Sequence, residues 1–382
     1  MRVLFVNRMV NMERGGGETF DIEMARHLAK RGCGISFLSG IPMLGAPSRA
    51  DFQLPGVNFT LRSPYFGWFP WDRVKGGWRL RVADFRMFER RAAVWLSTRQ
   101  NNYDLVQVCE LPSFVAGAKK KGVRLPMVIR LTAPNYYDPD HGIEKADAVI
   151  ASGMTVEQLR SAESFECTDI PNAVDTDQFC PGVSDFRAKA GIDADEVVFL
   201  YVARFQDFKN HGLLLKAFTS FLSAQPRARL ILVGGGPLQR KFVQETVVLG
   251  VSDKVLFLGE VSYSELPAIY RAADIMVISS DFESFCFAAL EAMATGLPII
   301  TTDCGWVPRL LGQGAGGRVV PVKDVAALAK AMQALADRAV LRKEMGERNR
   351  RQAVAEHGWA ASAQKLFGLY ETLLSKGPVP GV

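Results

Sequence analysis

Histidine is scarce in this chain of 382 residues, with four in all. The six cysteines (Cys33, Cys109, Cys167, Cys180, Cys286 and Cys304) form no C-x-x-C pair and have no histidine at zinc-ligand spacing. These absences argue against a structural zinc site. They also argue against a disulfide framework, a device of small chains that lack a core of their own. The thiols therefore read as reduced, as in a cytosolic protein. Long apolar runs are missing too, since none approaches the roughly 18 residues needed to span a bilayer. The opening Met1-Arg2-Val3-Leu4-Phe5-Val6-Asn7 is apolar only briefly and has no cleavage-site pattern, so it reads as a strand and not as a signal peptide. A strong charge of one sign is also lacking. The formal net charge of +6 suits phosphates or a lipid surface and is too small to argue for nucleic acid. Internal repeats and low-complexity tracts are absent.

What is present is an ordinary globular composition, 48% hydrophobic and 23% charged, in a chain long enough for two domains. Short apolar runs alternate with helix-like segments, the pattern of βαβ units and parallel sheets. In the first half the runs fall at residues 3–6, 35–38, 105–108, 127–131 and 148–150, with helical patterns at 18–30 and 82–98. In the second half strands are expected at 197–202, 230–233, 255–258, 275–278 and 299–301. Helices are expected between them near 213–221, 238–249, 264–271 and 285–294. An α/β fold of two open, doubly wound sheets follows, with ligand sites at the carboxyl ends of the strands. Turn residues replace periodicity between 171 and 195. The expected domains are 1–171 and 172–357, with a last helical segment, 358–382, packing back on the first domain.

Four features carry chemistry. Glu283 and Glu291 stand eight residues apart in Asp281-Phe282-Glu283-Ser284-Phe285-Cys286-Phe287-Ala288-Ala289-Leu290-Glu291. A helix expected from about Phe285 would offer unpaired amides and a positive dipole end to a phosphate. Glu291 would then lie about 9 Å along its axis, at 1.5 Å per residue. Such a spacing fits an extended sugar–diphosphate–ribose ligand, although a loop glutamate and a surface-helix glutamate would give the same pattern. Arg204 and Lys209 follow the 197–202 strand, where a guanidinium fork and an ammonium can neutralise a diphosphate, or simply be solvated. Gly234-Gly235-Gly236-Pro237 joins strand to helix, either for close backbone approach or as a tight turn. Gly15-Gly16-Gly17-Glu18 precedes a helix but is neither G-x-G-x-x-G nor a Walker A sequence, which removes support for nicotinamide binding and NTP hydrolysis.

In this order and spacing the set resembles the retaining nucleotide-sugar glycosyltransferases of the GT-B fold, family 4 type (glycosyl transferases group 1). The likeness is specific over residues 171–302. It rests on Pro171-Asn172-Ala173-Val174-Asp175, the Arg204/Lys209 pair, Gly234-Gly235-Gly236-Pro237, Phe257-Leu258-Gly259, and Glu283-x7-Glu291 followed by Ala292-Met293-Ala294-Thr295-Gly296-Leu297-Pro298. In the first domain only Gly15-Gly16-Gly17-Glu18 and the strand order carry it.

The resemblance implies two Rossmann-like domains facing a central cleft, with a nucleoside-diphosphate sugar as donor and no metal or other cofactor. It implies that Glu291 accepts the ribose hydroxyls and that Glu283 contacts the donor sugar. Arg204 and Lys209 would stabilise the departing diphosphate. Amides of Phe285, Cys286 and Phe287 would meet the diphosphate or sugar. Gly16, Gly17 and Gly235 would let backbone approach the donor, and Val261 would lie near the nucleobase. The family often places a histidine where this chain has Thr132 or Ala133. Thr132, Glu110 and His141 are therefore the acceptor-side candidates.

Residues 65–95 hold Trp68, Trp71, Trp78 and Trp95 among seven Arg and Lys residues, which suits an anionic membrane surface or a cover over the first domain. The expected protein is a cytoplasmic glycosyltransferase, peripheral on the membrane face where that surface docks, acting on a glycan, lipid-linked or small-molecule acceptor. An inactive nucleotide-sugar-binding scaffold and a GT-B nucleotide-sugar epimerase are the alternative readings.

Overall fold

The structure, a computed structural model, describes residues 1–12, 15–42, 54–63, 77–132, 137–161, 166–312 and 315–376. The chain divides into two compact units, one of Met1–Asn172 with Trp359–Val382 and one of Ala173–Gly358. The first unit runs β1 (Arg2–Val6), α1 (Gly16–Lys30), β2 (Gly34–Pro42), β3 (Val57–Ser63), α2 (Gly77–Ser97), β4 (Leu105–Cys109), α3 (Pro112–Lys120), β5 (Met127–Arg130), β6 (Ala148–Ala151), α4 (Met154–Ser161) and β7 (Cys167–Asp169). The second runs α5 (Phe186–Lys189), β8 (Val197–Val202), α6 (His211–Leu222), β9 (Ala228–Val233), α7 (Gln239–Val248), β10 (Val255–Gly259), α8 (Leu266–Ala272) and β11 (Ile275–Ile278). It continues with α9 (Phe287–Thr295), β12 (Ile299–Thr302), α10 (Val307–Leu310), β13 (Gly317–Val320), α11 (Val325–Ala336) and α12 (Ala339–Glu356). The closing helix α13 (Trp359–Ser375) belongs to the first unit.

Both sheets are open and parallel. Their strand orders are β3-β2-β1-β4-β5-β6-β7 and β10-β9-β8-β11-β12-β13. The central strands are buried on both faces, which is why they read as unbroken apolar runs. Each unit has a core of its own. In the first, α13 is held against α1 and the sheet: Trp359 meets Phe20 at 6.1 Å between ring centroids, and the Tyr370 hydroxyl donates to Gln107 Oε1 at 2.7 Å.

The paired α/β folding with parallel sheets agrees with the sequence reading. Three strands, β3, β7 and β13, were not anticipated. All three are sheet edges, where one flank is open and the apolar signal thins: Val57 is 55% exposed, Val319 is 40% exposed, and β7 has only three residues. The start of the helix carrying Glu291 is a correction. α9 begins at Phe287, not near Phe285, because Cys286 adopts the left-handed region at φ 76° and cannot continue a helix. Glu291 is thus four residues from the first helical residue, about 6 Å along the axis.

Candidate functional site

In each sheet the strand order reverses beside the first strand of its unit. That switch point lies between β1 and β4 in one unit and between β8 and β11 in the other. Loops leaving such neighbours diverge, opening a crevice at the carboxyl ends. In the second unit the two diverging loops carry the Arg204/Lys209 segment and the Glu283 segment.

They are tied together. Lys209 Nζ donates to Glu283 Oε1 at 2.6 Å, and Ser280 Oγ donates to the same oxygen at 2.6 Å. The buried Tyr201 hydroxyl donates to the Lys209 carbonyl at 2.9 Å and lies 2.9 Å from Ser280 Oγ. Ser279 Oγ caps the Lys209 and Asn210 carbonyls at 3.1 Å each. Asn210, itself left-handed, accepts from the Leu213 amide at the head of α6 and donates to Asp281 Oδ1 at 2.9 Å. The Lys209–Glu283 ion pair is largely buried, with side-chain exposures of 18% and 8%. A largely desolvated ammonium and carboxylate are therefore fixed in place before any ligand arrives.

Glu291 faces a different partner. It is 7% exposed, and the Tyr270 hydroxyl donates to its Oε2 at 2.7 Å. Burial, aided by the Glu291 charge, pushes the Tyr270 phenol well above its usual range, so it remains a donor. The Tyr201 phenol is raised likewise by burial and then by Glu283. Cys286 stands at the head of α9, and burial followed by the Glu283 charge pushes its thiol well above the ordinary value. It is therefore no thiolate nucleophile. His211 is neutral as well, held down to about 3 by burial and then by Lys209. Its ring stacks on Phe205 at 4.3 Å, and neither nitrogen has a hydrogen-bond partner.

The remaining donor-side candidates are placed as follows. Arg204 is exposed just beyond β8. Phe285 is a core side chain, 6% exposed, so only its backbone is free to meet a ligand. Phe287 is the first residue of α9, its ring 6.0 Å from that of Phe285. Val261 packs partly buried against the core. Gly234, at φ 134°, has its missing Cβ position 2.2 Å from the Ala203 carbonyl oxygen, so the turn after β9 tolerates no side chain. A Cβ on Gly235 would meet Glu260 at 2.7 Å. The glycine triplet thus serves the turn and the close packing of the loops after β8 and β10.

In the first unit the acceptor-side candidates separate. Glu110, left-handed at φ 57° directly after β4, accepts a hydrogen bond from Thr132 Oγ1 beyond β5. His141 instead sits exposed in its own turn, 3.3 Å from Glu144. Sequence reasoning missed what surrounds Glu110. Arg130 is 3% exposed, stacks over Phe20 at 3.9 Å and donates to Asn172 Oδ1 at 2.9 Å, yet its Nη1 has no partner. Asp21, fully buried on α1, accepts from Asn7 at 2.9 Å. Burial raises its carboxyl to about 6 against the pull of Arg130. Glu18 accepts the Gly15 amide at 2.9 Å at the head of α1 and is raised to about 7, by burial and then by Glu110. Gly16 opens that helix and is exposed, whereas a Cβ on Gly17 would come 3.2 Å from Cys109 Sγ. An aspartate inside the apolar stripe of α1 was the one signal in the sequence.

Among the described residues no group of three or more His, Cys, Asp or Glu side chains is gathered as a metal ion would require. No helix there is long and apolar enough to cross a membrane. Of the aromatic and basic stretch 65–95, Trp68 and Trp71 lie outside the described residues. Trp95 packs on Phe59 at 5.0 Å and on Tyr103 at 6.3 Å, which makes it part of the unit's packing and not a free aromatic surface.

Residues 183–352 match the model of the family described as glycosyl transferases group 1. Among curated proteins, the D-inositol 3-phosphate glycosyltransferase of Corynebacterium kroppenstedtii is 34% identical over 220 residues, 55% of this chain and 48% of that one. The protein of the same name from Corynebacterium jeikeium is 35% identical over 254 residues, 62% of this chain and 59% of that one. The chain thus spans about half the length of the curated relatives it matches. Among solved structures, Anabaena Alr3699/HepE in complex with UDP superposes with a TM-score of 0.77 at 18% identity, covering 97% of this chain and 100% of that one. Sucrose-phosphate synthase from Thermosynechococcus elongatus gives 0.76 at 20% identity, covering 98% and 100%.

Proposed function

We propose, for a chain that belongs to the glycosyl transferases of group 1 with the two-domain GT-B fold, that it moves a sugar from a nucleoside diphosphate to a hydroxyl acceptor. The reaction retains anomeric configuration and uses no metal. The acceptor is a glycan, a lipid or a small molecule. The observation that carries this reading is the buried Lys209–Glu283 pair at the β8/β11 switch point, with the Tyr270-oriented Glu291 on the helix that follows.

Each group has a task suited to its surroundings. The Lys209 ammonium has three donors, of which Glu283 takes one; the others can serve phosphate oxygens. Arg204, exposed on the same loop after β8, supplies a bidentate fork. Together they oppose the charge that builds on the diphosphate as the sugar becomes oxocarbenium-like, the largest demand of the reaction. Glu283 keeps its other oxygen for hydroxyls of the donor sugar. Glu291, oriented by the Tyr270 hydroxyl, accepts from the ribose hydroxyls. Neither Cys286, kept as a thiol, nor His211, kept neutral, is suited to act as a nucleophile or acid. That agrees with departure and attack on one face of the sugar. In the first unit, Glu110 with Thr132 orients the acceptor hydroxyl. Solved relatives named as complexes with UDP and with UDP-glucose support a nucleoside-diphosphate donor.

A thermal-shift panel of UDP-, GDP- and ADP-sugars identifies the donor, since a ligand bound by the native state raises stability with the logarithm of its concentration over Kd. With that donor, Glu283→Ala should lower transfer by about 10³-fold while nucleotide binding persists. A variant that transfers at the wild-type rate would refute the assignment. An epimerised donor formed without acceptor would favour the epimerase reading, and donor binding with no turnover of any kind the scaffold.

A further inference from the structure

We propose that the concave face between α2 and α3 of the first unit is a second anion site, built for a ligand that carries phosphate groups. A cavity of about 720 Å³ is lined there by Arg86, Arg90, Lys119, Lys120, Lys121 and Lys145, against the single carboxylate of Asp140. The cations come from three separate pieces of chain: α2, the end of α3, and the turn that follows Asp140. A stretch of solvated lysines on one helix would not converge in this way.

Some of this charge is already spent. Asp140 accepts from Arg86 at 2.6 Å and from Ser113 Oγ at 2.9 Å, and its carbonyl accepts from Lys145 at 2.6 Å. Lys119 is committed to Asp147 at 2.7 Å and to the Leu125 carbonyl at 3.3 Å. These bonds fix the walls of the cavity. Arg90, Lys120 and Lys121 are exposed and have no acidic partner among the described residues.

The α3 dipole favours cations at its C-terminus, which accounts for the three consecutive lysines. It does not account for Arg86 and Arg90 on a neighbouring helix lining the same hollow. Like charges on a concave wall repel one another, and the field they focus is relieved by a multiply charged anion. A guanidinium fork beside ammonium groups matches phosphate oxygens. This site stands on the first unit alone and does not depend on the sugar-transfer reading.

The test uses the full chain with two probes, at low and at physiological salt: inorganic pyrophosphate by isothermal titration, and phosphatidylglycerol against phosphatidylcholine vesicles by sedimentation. The triple variant Arg90→Glu/Lys120→Glu/Lys121→Glu alters exposed side chains only, and its fold is checked by circular dichroism. It should weaken the binding by roughly a hundredfold, since each of the three cations near an anionic surface contributes about a fivefold factor. The pyrophosphate titrations are made in the Arg204→Ala background, which removes the diphosphate fork of the other unit. Pyrophosphate binding lost in the triple variant supports the site with a soluble phosphate as its ligand. Loss of phosphatidylglycerol binding without any pyrophosphate isotherm supports it with a lipid headgroup. Binding in the Arg204→Ala background that the triple substitution leaves undiminished, or no binding of either probe in that background, overturns it.

Discussion

The two units place carboxylates at the same point of the same kind of sheet and treat them differently. Beside the β8/β11 switch point, Glu283 is matched to Lys209 and Ser280, and Glu291 to Tyr270. Beside β1/β4, Glu18, Asp21 and Glu110 gather about Cys109 with one guanidinium, Arg130, that acts on Asp21 and keeps a nitrogen unpartnered. A buried charge must be paired or must neutralise itself. The second unit pairs; the first neutralises, raising Asp21 to about 6 and Glu18 to about 7. The second unit thus presents fixed, paired charges at its switch point, whereas the first presents groups that change protonation near neutral pH.

The largest effect should come from removing a partner where pairing is strict. Lys209→Met leaves Glu283 buried without its cation and should cost about 3 kcal/mol of stability. Transfer should fall by about 10²- to 10³-fold. Arg130→Met, made in the first unit, should cost less at low pH than at neutral pH, because protonated neighbours need no cation. Chemical denaturation of both variants across pH checks the pair, and equal losses at every pH would contradict the distinction. Next in size, Tyr270→Phe should cost about 2 kcal/mol through the hydrogen bond withdrawn from buried Glu291. It should also weaken nucleotide binding, read by titration calorimetry, while leaving the first unit unaffected.

The units should also respond to pH with opposite sign. Burial raises Asp21 to about 6 and Glu89 to about 7, so the folded first unit holds protons that the unfolded chain releases. The stability these groups contribute is intact below about pH 4 and is lost as pH rises through about 7. His211, lowered to about 3, acts in reverse: its contribution is intact above about pH 6.5 and is lost as pH falls towards 3. Hydrogen exchange corrected for intrinsic rates should show β1 and β4 better protected at about pH 5 than at about pH 7.5, and β8 and β11 the opposite. A shift of both sheets in one direction would remove the contrast.

Smaller effects concern backbone and packing. Each candidate site holds a non-glycine residue at positive φ, Glu110 in one unit and Cys286 in the other. Cys286→Gly should therefore stabilise the second unit by about 1 kcal/mol in thermal denaturation. Smallest of all, His211→Phe should stay within about 0.5 kcal/mol of wild type, since the ring already stacks among aromatics and makes no hydrogen bond.

The sequence by itself determined the α/β class, the doubly wound pattern and the loops that bear the second unit's site. Central strands buried on both faces are continuous apolar runs, and strand-end glycines, cations and glutamates keep a local spacing that survives without coordinates. It determined less at the edges, where β3, β7 and β13 have short or half-exposed stretches with little periodicity. Only the tertiary structure decided that Lys209 and Glu283 hold each other, that Tyr270 on α8 serves Glu291 and that Arg130 is bonded to Asn172 near the buried Asp21. The partners in these contacts come from different elements, 74 residues apart for Lys209 and Glu283 and 21 for Tyr270 and Glu291. No local pattern announces them. It also decided that α9 starts at Phe287, after a Cys286 held in the left-handed region that its residue type does not announce.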